Sequence, residues 1–194
     1  MEYEEYLALV KSSRTCRRFD QSKHLTEEQL LSLVEAARFA PTGNNTQLLR
    51  FHVAAGDEEC ERIFSHLHWA AALKDWDGPE EGEKPTGYIL ILAPEKALNN
   101  PIRCYDAGIA AQTIMLGAHT LGLGGCMLRN FDKVLTEEEG LAGTGFAVTL
   151  VVALGVPGEE VVIEPATTEH GLTYWHGEGT THHVPKLETA DLLL

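Results

Sequence analysis

The sequence predicts a single α+β domain, a sandwich in which helices flank a central sheet. Three observations lead there. Residues 88–93 (YILILA) and 147–155 (AVTLVVALG) are short continuous apolar runs bounded by turn formers, the pattern of strands buried on both faces. Segments with helical apolar spacing precede and separate them. The resulting order α, α, β, α, β, α, β, β lacks the regular βαβ alternation of a parallel sheet. No internal repeat, low-complexity tract or linker divides residues 1–194, and 44% hydrophobic content with 23% charged residues suffices for one core.

The elements follow in chain order. Residues 2–11 form a short helix that delivers the chain to SSRTCRRFD at 12–20. Thr26 is an N-cap with Gln29 three residues on, a capping box ahead of Leu30, Leu33, Val34, Ala37 and Phe39. Pro41 disfavours helical angles at Ala40 and ends that helix. Thr42, Gly43, Asn44 and Asn45 make a turn-rich loop, because Asn and Gly tolerate unusual backbone angles. A strand at 48–55 and a helix at 57–68 come next. Residues 73–87 (LKDWDGPEEGEKPTG) are rich in charge, Gly and Pro and read as an exposed candidate lid.

Residues 106–121 read as a helix apolar nearly all round, with Ile109, Ala110, Ala111, Ile114, Met115, Leu116 and Ala118. Such a helix must be buried on most sides. In a domain this small the simplest partner is a second copy, with Gly108, Ala111 and Gly117 allowing close approach; a central helix within one subunit is the alternative. GLGGCML at 122–128 comes after a helix and lacks the third glycine of a dinucleotide fingerprint. A short helix near 132–139 precedes the last long strand.

With 15 Lys plus Arg against 29 Asp plus Glu, the net charge is −14. That field repels nucleic acid and anionic membrane surfaces. No apolar run reaches the roughly 18–20 residues of a membrane span. The acidic amino terminus has no basic region followed by an apolar core, so no secretory signal and a cytoplasmic location are expected. Cys16, Cys60, Cys104 and Cys126 form no CxxC pair and are expected to be reduced thiols.

Against this acidic background stand Arg14, Arg17 and Arg18. A basic turn paired with nearby carboxylates is the plain reading. Guanidinium groups beside small hydroxyls also suit a phosphate, and the amides of APTGNNTQLLRF at 40–51 suit a planar polar ring. Together they point to a phosphorylated heterocyclic cofactor. No metal site is expected: His66 with His68, and His182 with His183, lack the spacing of a helical zinc site and an attached glutamate. Cys126, in an apolar setting, is expected to pack in the core. Trp69 and Trp175 are expected to be partly buried anchors, and Trp76, in the exposed candidate lid, is the candidate to stack on a ligand.

The ordered segments RTCRRFD, AARFAPTGNNTQ, DAGIAAQTIMLGAHTLGLGGC and VVALGVPGEE resemble the nitroreductase family of FMN-dependent oxidoreductases, over residues 10–186 and in its short form. The resemblance implies a mostly antiparallel central sheet flanked by helices, in an intertwined homodimer with two FMN sites across the interface. Residues 180–194 would be an extension packing on the partner subunit. It implies that Arg14, Thr15 and Arg17 bind the FMN phosphate and the pyrimidine edge of the ring. Thr42, Asn45 and Gln47 border the flavin, and Asn44 lies where substrates enter. Arg129 and Asn130 bring backbone amides to the reactive part of the ring, and Lys186 completes the phosphate cage.

No side chain acts as acid or base. NADH or NADPH donates a hydride, and a nitroaromatic, quinone or flavin-like acceptor follows at the same site in ping-pong order. The acidic surface slightly disfavours NADPH. Four departures stand out: Leu48 and Leu49 where Pro and an aromatic residue are usual, Ser13 and Leu187 where arginines are usual, and Arg129 where a smaller or acidic residue is usual. Arg129, facing the flavin, would favour an anionic substrate. Rival readings are a non-catalytic flavin-binding or storage protein, and a different flavin chemistry on this fold, such as reductive dehalogenation or flavin fragmentation.

Overall fold

The chain runs through α1 (Tyr3–Ser12), α2 (Glu27–Ala37), β1 (Arg50–Ala54), α3 (Asp57–Ser65), β2 (Gly87–Pro94), α4 (Pro101–Thr120), β3 (Gly124–Leu128), α5 (Leu135–Glu138), β4 (Phe146–Gly155), β5 (Glu160–Pro165), β6 (Trp175–His176) and β7 (Thr181–Lys186). The structure, a computed structural model, describes residues 1–70, 73, 76–167 and 171–194. β1, β2, β4 and β3 form, in that spatial order, an antiparallel sheet. A second sheet of order β5-β7-β6 pairs β5 with β7 in parallel and β6 with β7 antiparallel.

The two apolar runs become central strands because both faces of the large sheet are covered. Alternation along β2 sends Ile89, Ile91 and Ala93 into one core with α2 and α4, and Tyr88 and Leu90 into another with α3, Phe19 and Leu135. β4 divides likewise, Val152 and Leu154 to the first core and Val151 and Ala153 to the second. The expected capping box is present: Thr26 Oγ1 accepts from the Gln29 N–H at 3.2 Å, and Gln29 Oε1 accepts from the Thr26 N–H at 2.9 Å.

Three elements differ from expectation. α4 starts at Pro101, earlier than 106, because Asn100 caps it by accepting the Ile102 N–H and Pro101 suits a first turn. GLGGCML contributes β3. The small sheet, of which the sequence offered no pattern, takes up residues 181–186 as a strand of its own chain.

Lys74 and Asp75, in the candidate lid, lie outside the described residues. Residues 76–87 of that segment are tied down. The Phe19 N–H donates to Glu83 O, Gln21 Oε1 accepts from the Gly82 and Lys84 N–H groups, and Arg18 pairs with Glu83 at 3.2 Å. Among the described residues no helix is long and apolar enough to cross a membrane.

Candidate active site

Asn44, Asn45 and Gln47 hold φ values of 54°, 53° and 47°, three left-handed non-glycine residues within four positions. Such clustering is uncommon and gathers at binding sites, where surrounding bonds over-determine the backbone. The bonds are visible. The Gln47 N–H donates to Thr42 Oγ1 at 3.2 Å, the Gly43 N–H donates to Asp106 Oδ1 at 2.8 Å, and Arg103 donates to Thr46 Oγ1 at 2.6 Å. Arg103 and Asp106 form an ion pair at 3.1 Å with side chains only 6% and 3% exposed. A Cβ at Gly43 would collide with Ile102 and press on Arg103, so the loop sits directly on α4.

Thr42 and Gln47, with Arg38, Leu49, Arg50, Phe51, Asp106 and Ala110, line a cavity of about 260 Å³. Asn45 and Asn44 are exposed on the rim, and Gln47 donates to Asn45 Oδ1 at 3.2 Å. Arg103 and Asp106 were not singled out from sequence. Their signal was two opposite charges three residues apart in a helix otherwise almost free of charge.

The arginine segment packs against α4 at another station. Arg14 lines a second pocket of about 170 Å³ with Ser13, Met115, His119, Gly124 and Glu159, and its buried Nε has no hydrogen-bond partner. Thr15 bridges to Gly125 beside it. Met115 is nine residues beyond Asp106, about 14 Å along the helix axis. Within one chain, therefore, the two predicted halves of the site form separate pockets.

Arg17 and Arg18 turn inward. Arg17 lies 4.8 Å from the Tyr174 ring centroid, and its N–H donates a short hydrogen bond to Glu159 Oε1, which the Arg18 N–H also reaches at 3.3 Å. Lys186 is exposed at the far end of β7, paired with Pro165. The pocket reaches β5 at Val161, four residues earlier, about 13 Å away at strand spacing. Leu187 is exposed beside Lys186.

Between the two pockets runs the outer face of α4. Tyr105 and Ile109 are exposed, and with Cys104, Gly108, Gln112, Thr113 and Leu116 they form a shallow, mainly apolar groove. Among the described residues, α4 is thus covered by its own chain on one side only.

Arg129 and Asn130 are exposed just past β3, with the Arg129 guanidinium 6.0 Å from the Phe131 ring centroid. Asn130 O accepts the His68 N–H, and the following residues are clasped by His66, which touches Glu138 at 2.8 Å and Asp132 at 3.4 Å. The hydrogen bond to Glu138 holds the His66 pKa above its ordinary value. His66 and His68 share Asp132 and so staple a turn.

Burial pushes the Cys126 thiol up to about 11, as expected for a packed cysteine, and Cys16 and Cys60 up to about 12. Trp69 is buried, Trp76 is half-buried edge-on to His176, and Trp175 stacks on His183.

The nitroreductase family model matches residues 10–163. The chain belongs to the nitroreductase family. A Streptomyces coelicolor protein named "Putative NADH dehydrogenase/NAD(P)H nitroreductase" is 25% identical over 166 residues, 77% of this chain and 82% of its own. Among solved structures, an FMN-dependent nitroreductase from Clostridium difficile is 25% identical over 79% of this chain and 88% of that one, with a TM-score of 0.62. A Desulfovibrio desulfuricans protein solved in complex with FMN superimposes over 97% of this chain and 94% of its own at a TM-score of 0.67, and at 23% identity this likeness is one of fold.

Proposed function

We propose that this chain is a cytoplasmic FMN-dependent oxidoreductase, acting as a homodimer in which each FMN site is shared between two copies. One observation carries the reading: two pockets, one lined by Arg14 and one by Thr42 and Gln47, stand at two stations of a helix whose outer face carries a mainly apolar groove. Neither volume reaches the roughly 300–1,000 Å³ of a pocket that encloses a cofactor. Packing α4 of one copy against α4 of another is the simplest way to bury the groove and to join one half of each kind.

The residues suit FMN. The unpaired Arg14 N–H, beside the Thr15 hydroxyl, offers charge-assisted donation to a phosphate, which would answer a group the chain leaves unanswered. Thr42, Asn45 and Gln47 present amide and hydroxyl groups to a ring edge from a backbone held in place by Asp106 and Arg103. Leu49, Phe51 and Ala110 make that wall apolar and exclude water. Arg17, placed against Tyr174, serves the site from behind, and Lys186 would reach a phosphate only from a partner's side. The exposed turn at Arg129 and Asn130 supplies backbone N–H groups, with the Arg129 side chain free to meet an anionic substrate. When bound, FMN would supply the hydride chemistry between NADH or NADPH and a nitroaromatic, quinone or flavin-like acceptor, and Thr42, Asn45, Gln47 and the turn at Arg129 and Asn130 would border one site used by donor and acceptor in ping-pong order.

The test is an absorption spectrum of the FMN-loaded protein before and after anaerobic addition of NADH and then NADPH. Bleaching of the flavin bands by either donor is expected. Bands that stay oxidised with both would overturn the reductase reading in favour of a binding protein.

A further inference from the structure

His182 and His183 are neighbours in β7, so alternation sends their side chains to opposite faces. His183 accepts the stack of Trp175 and hydrogen-bonds Glu164 at 2.8 Å. His182 turns inward and is fully buried. The β6-β7 register sets it directly opposite His176, with the rings 5.1 Å apart between centroids. β5 pairs with β7 so that Val161 stands beside His182, which brings Glu159, two residues earlier, to the same corner.

A ligand atom from each of Glu159, His176 and His182 lies within 4.8 Å of the others. Glu159 Oε2, His176 Nε2 and both ring nitrogens of His182 are buried without a hydrogen-bond partner. Unanswered buried polar atoms are uncommon and costly, and here three neighbouring side chains all carry them. The three side chains converge, and imidazole nitrogens with a carboxylate oxygen are donors a metal uses.

We propose that Glu159, His176 and His182 form a binding site for one divalent transition cation of the Zn²⁺ class. Two imidazoles and one carboxylate are a ligand set of borderline-soft cations, not of Mg²⁺ or Ca²⁺, which take oxygen. Glu159 Oε1 is already fixed by the Arg17 and Arg18 N–H groups, so its other oxygen is aimed. Burial, followed by the nearby arginine charges, keeps both imidazoles neutral and ready to ligate; His182 is held down to about 4. Those same charges oppose any cation, so coordinate bonds to nitrogen and not the local field must supply the affinity. The ion would clamp the small sheet to the arginine segment. β6 and β7 lie beyond the part of the chain that the family model matches.

His52, Glu59 and Glu139 form the other comparable cluster among the described residues, and there Arg62 already occupies Glu139 through two bonds.

The experiment titrates metal-stripped, flavin-free full-length protein with Co²⁺, following ligand-field absorption, and then with Zn²⁺ in competition. It reads metal alone, so it fails or succeeds separately from the oxidoreductase reading. The wild type should bind one equivalent. His176→Asn, confirmed folded by circular dichroism, should bind about 100-fold more weakly or worse, since loss of even an outer-shell partner costs 10–100-fold. Glu159→Gln should behave alike, while His183→Asn and His52→Asn should bind as the wild type does. Absence of saturable binding to the wild type, or undiminished binding by both His176→Asn and Glu159→Gln, would overturn the site.

Discussion

Along the loop from Thr42 to Gln47, a strained backbone is anchored at several points by the same chain; at the corner of Glu159, His176 and His182, buried polar atoms have no hydrogen-bond partner. The loop carries three left-handed residues, and Asp106, Arg103 and the Thr42 hydroxyl answer it. The corner has ordinary strand geometry and four unpartnered atoms. The first region is built to hold a shape before anything binds. The second is built in a way that only something bound would complete. Arg14 belongs with the second kind, since its Nε is also buried and unpaired.

This contrast separates effects on stability from effects on binding. The largest effect is expected at Asp106→Ala. It removes the acceptor of the Gly43 N–H and strands Arg103 in a buried position, so urea unfolding should show a loss of about 3–5 kcal/mol. A loss below about 1 kcal/mol would mean that the loop stands without its anchor.

Arg14→Met should invert the pattern. Stability should stay within about 0.5 kcal/mol, because no partner loses a bond. FMN affinity, measured by fluorescence quenching, should fall about 10- to 100-fold, the worth of a charge-assisted hydrogen bond. An unstable variant with undiminished affinity would move Arg14 into the structural group.

The smallest effect concerns His66, a third arrangement in which the partners are charges. Glu138 first, and then Asp132, raise its folded pKa above the ordinary 6.5. A raised pKa adds stability that is complete below the unfolded value and is lost as pH rises through the folded one. His66→Asn should therefore lose more stability at about pH 5.5 than at about pH 9, by less than about 1 kcal/mol for so exposed a pair of carboxylates. Equal losses at both pH values would assign His66 to packing alone.

The parts of this molecule that are legible in sequence are those decided locally. The Thr26 and Gln29 capping box, the apolar runs of β2 and β4 and the apolar character of α4 all rest on residues within a few positions of each other. The cap of α4 was equally local, an Asn followed by Pro at 100 and 101, yet lay ahead of the apolar pattern that drew attention to 106. Arg103 and Asp106 look like helix surface until the Thr42 loop is folded onto them. The cross-strand partner of His182 could not be read at all. Its neighbour His183 is the obvious pair in sequence, and only the register of two short strands replaces it with His176. Likewise Arg14 and Arg17 are alike on paper, and alternation about the Thr15 bridge sends one to a pocket and the other to Tyr174.

The shared site is tested most directly by complementation. Arg14→Met damages one pocket, and Gln47→Gly removes an amide from the other while suiting its left-handed backbone. In an FMN titration, each variant alone should show only weakened sites, about 10- to 100-fold for Arg14→Met. Unfolded and refolded together, they should recover about one quarter of the sites, since half of the dimers are mixed and each mixed dimer holds one intact site. Recovery of none, with both variants folded, would contradict a site built from two copies and place the whole of it within one chain.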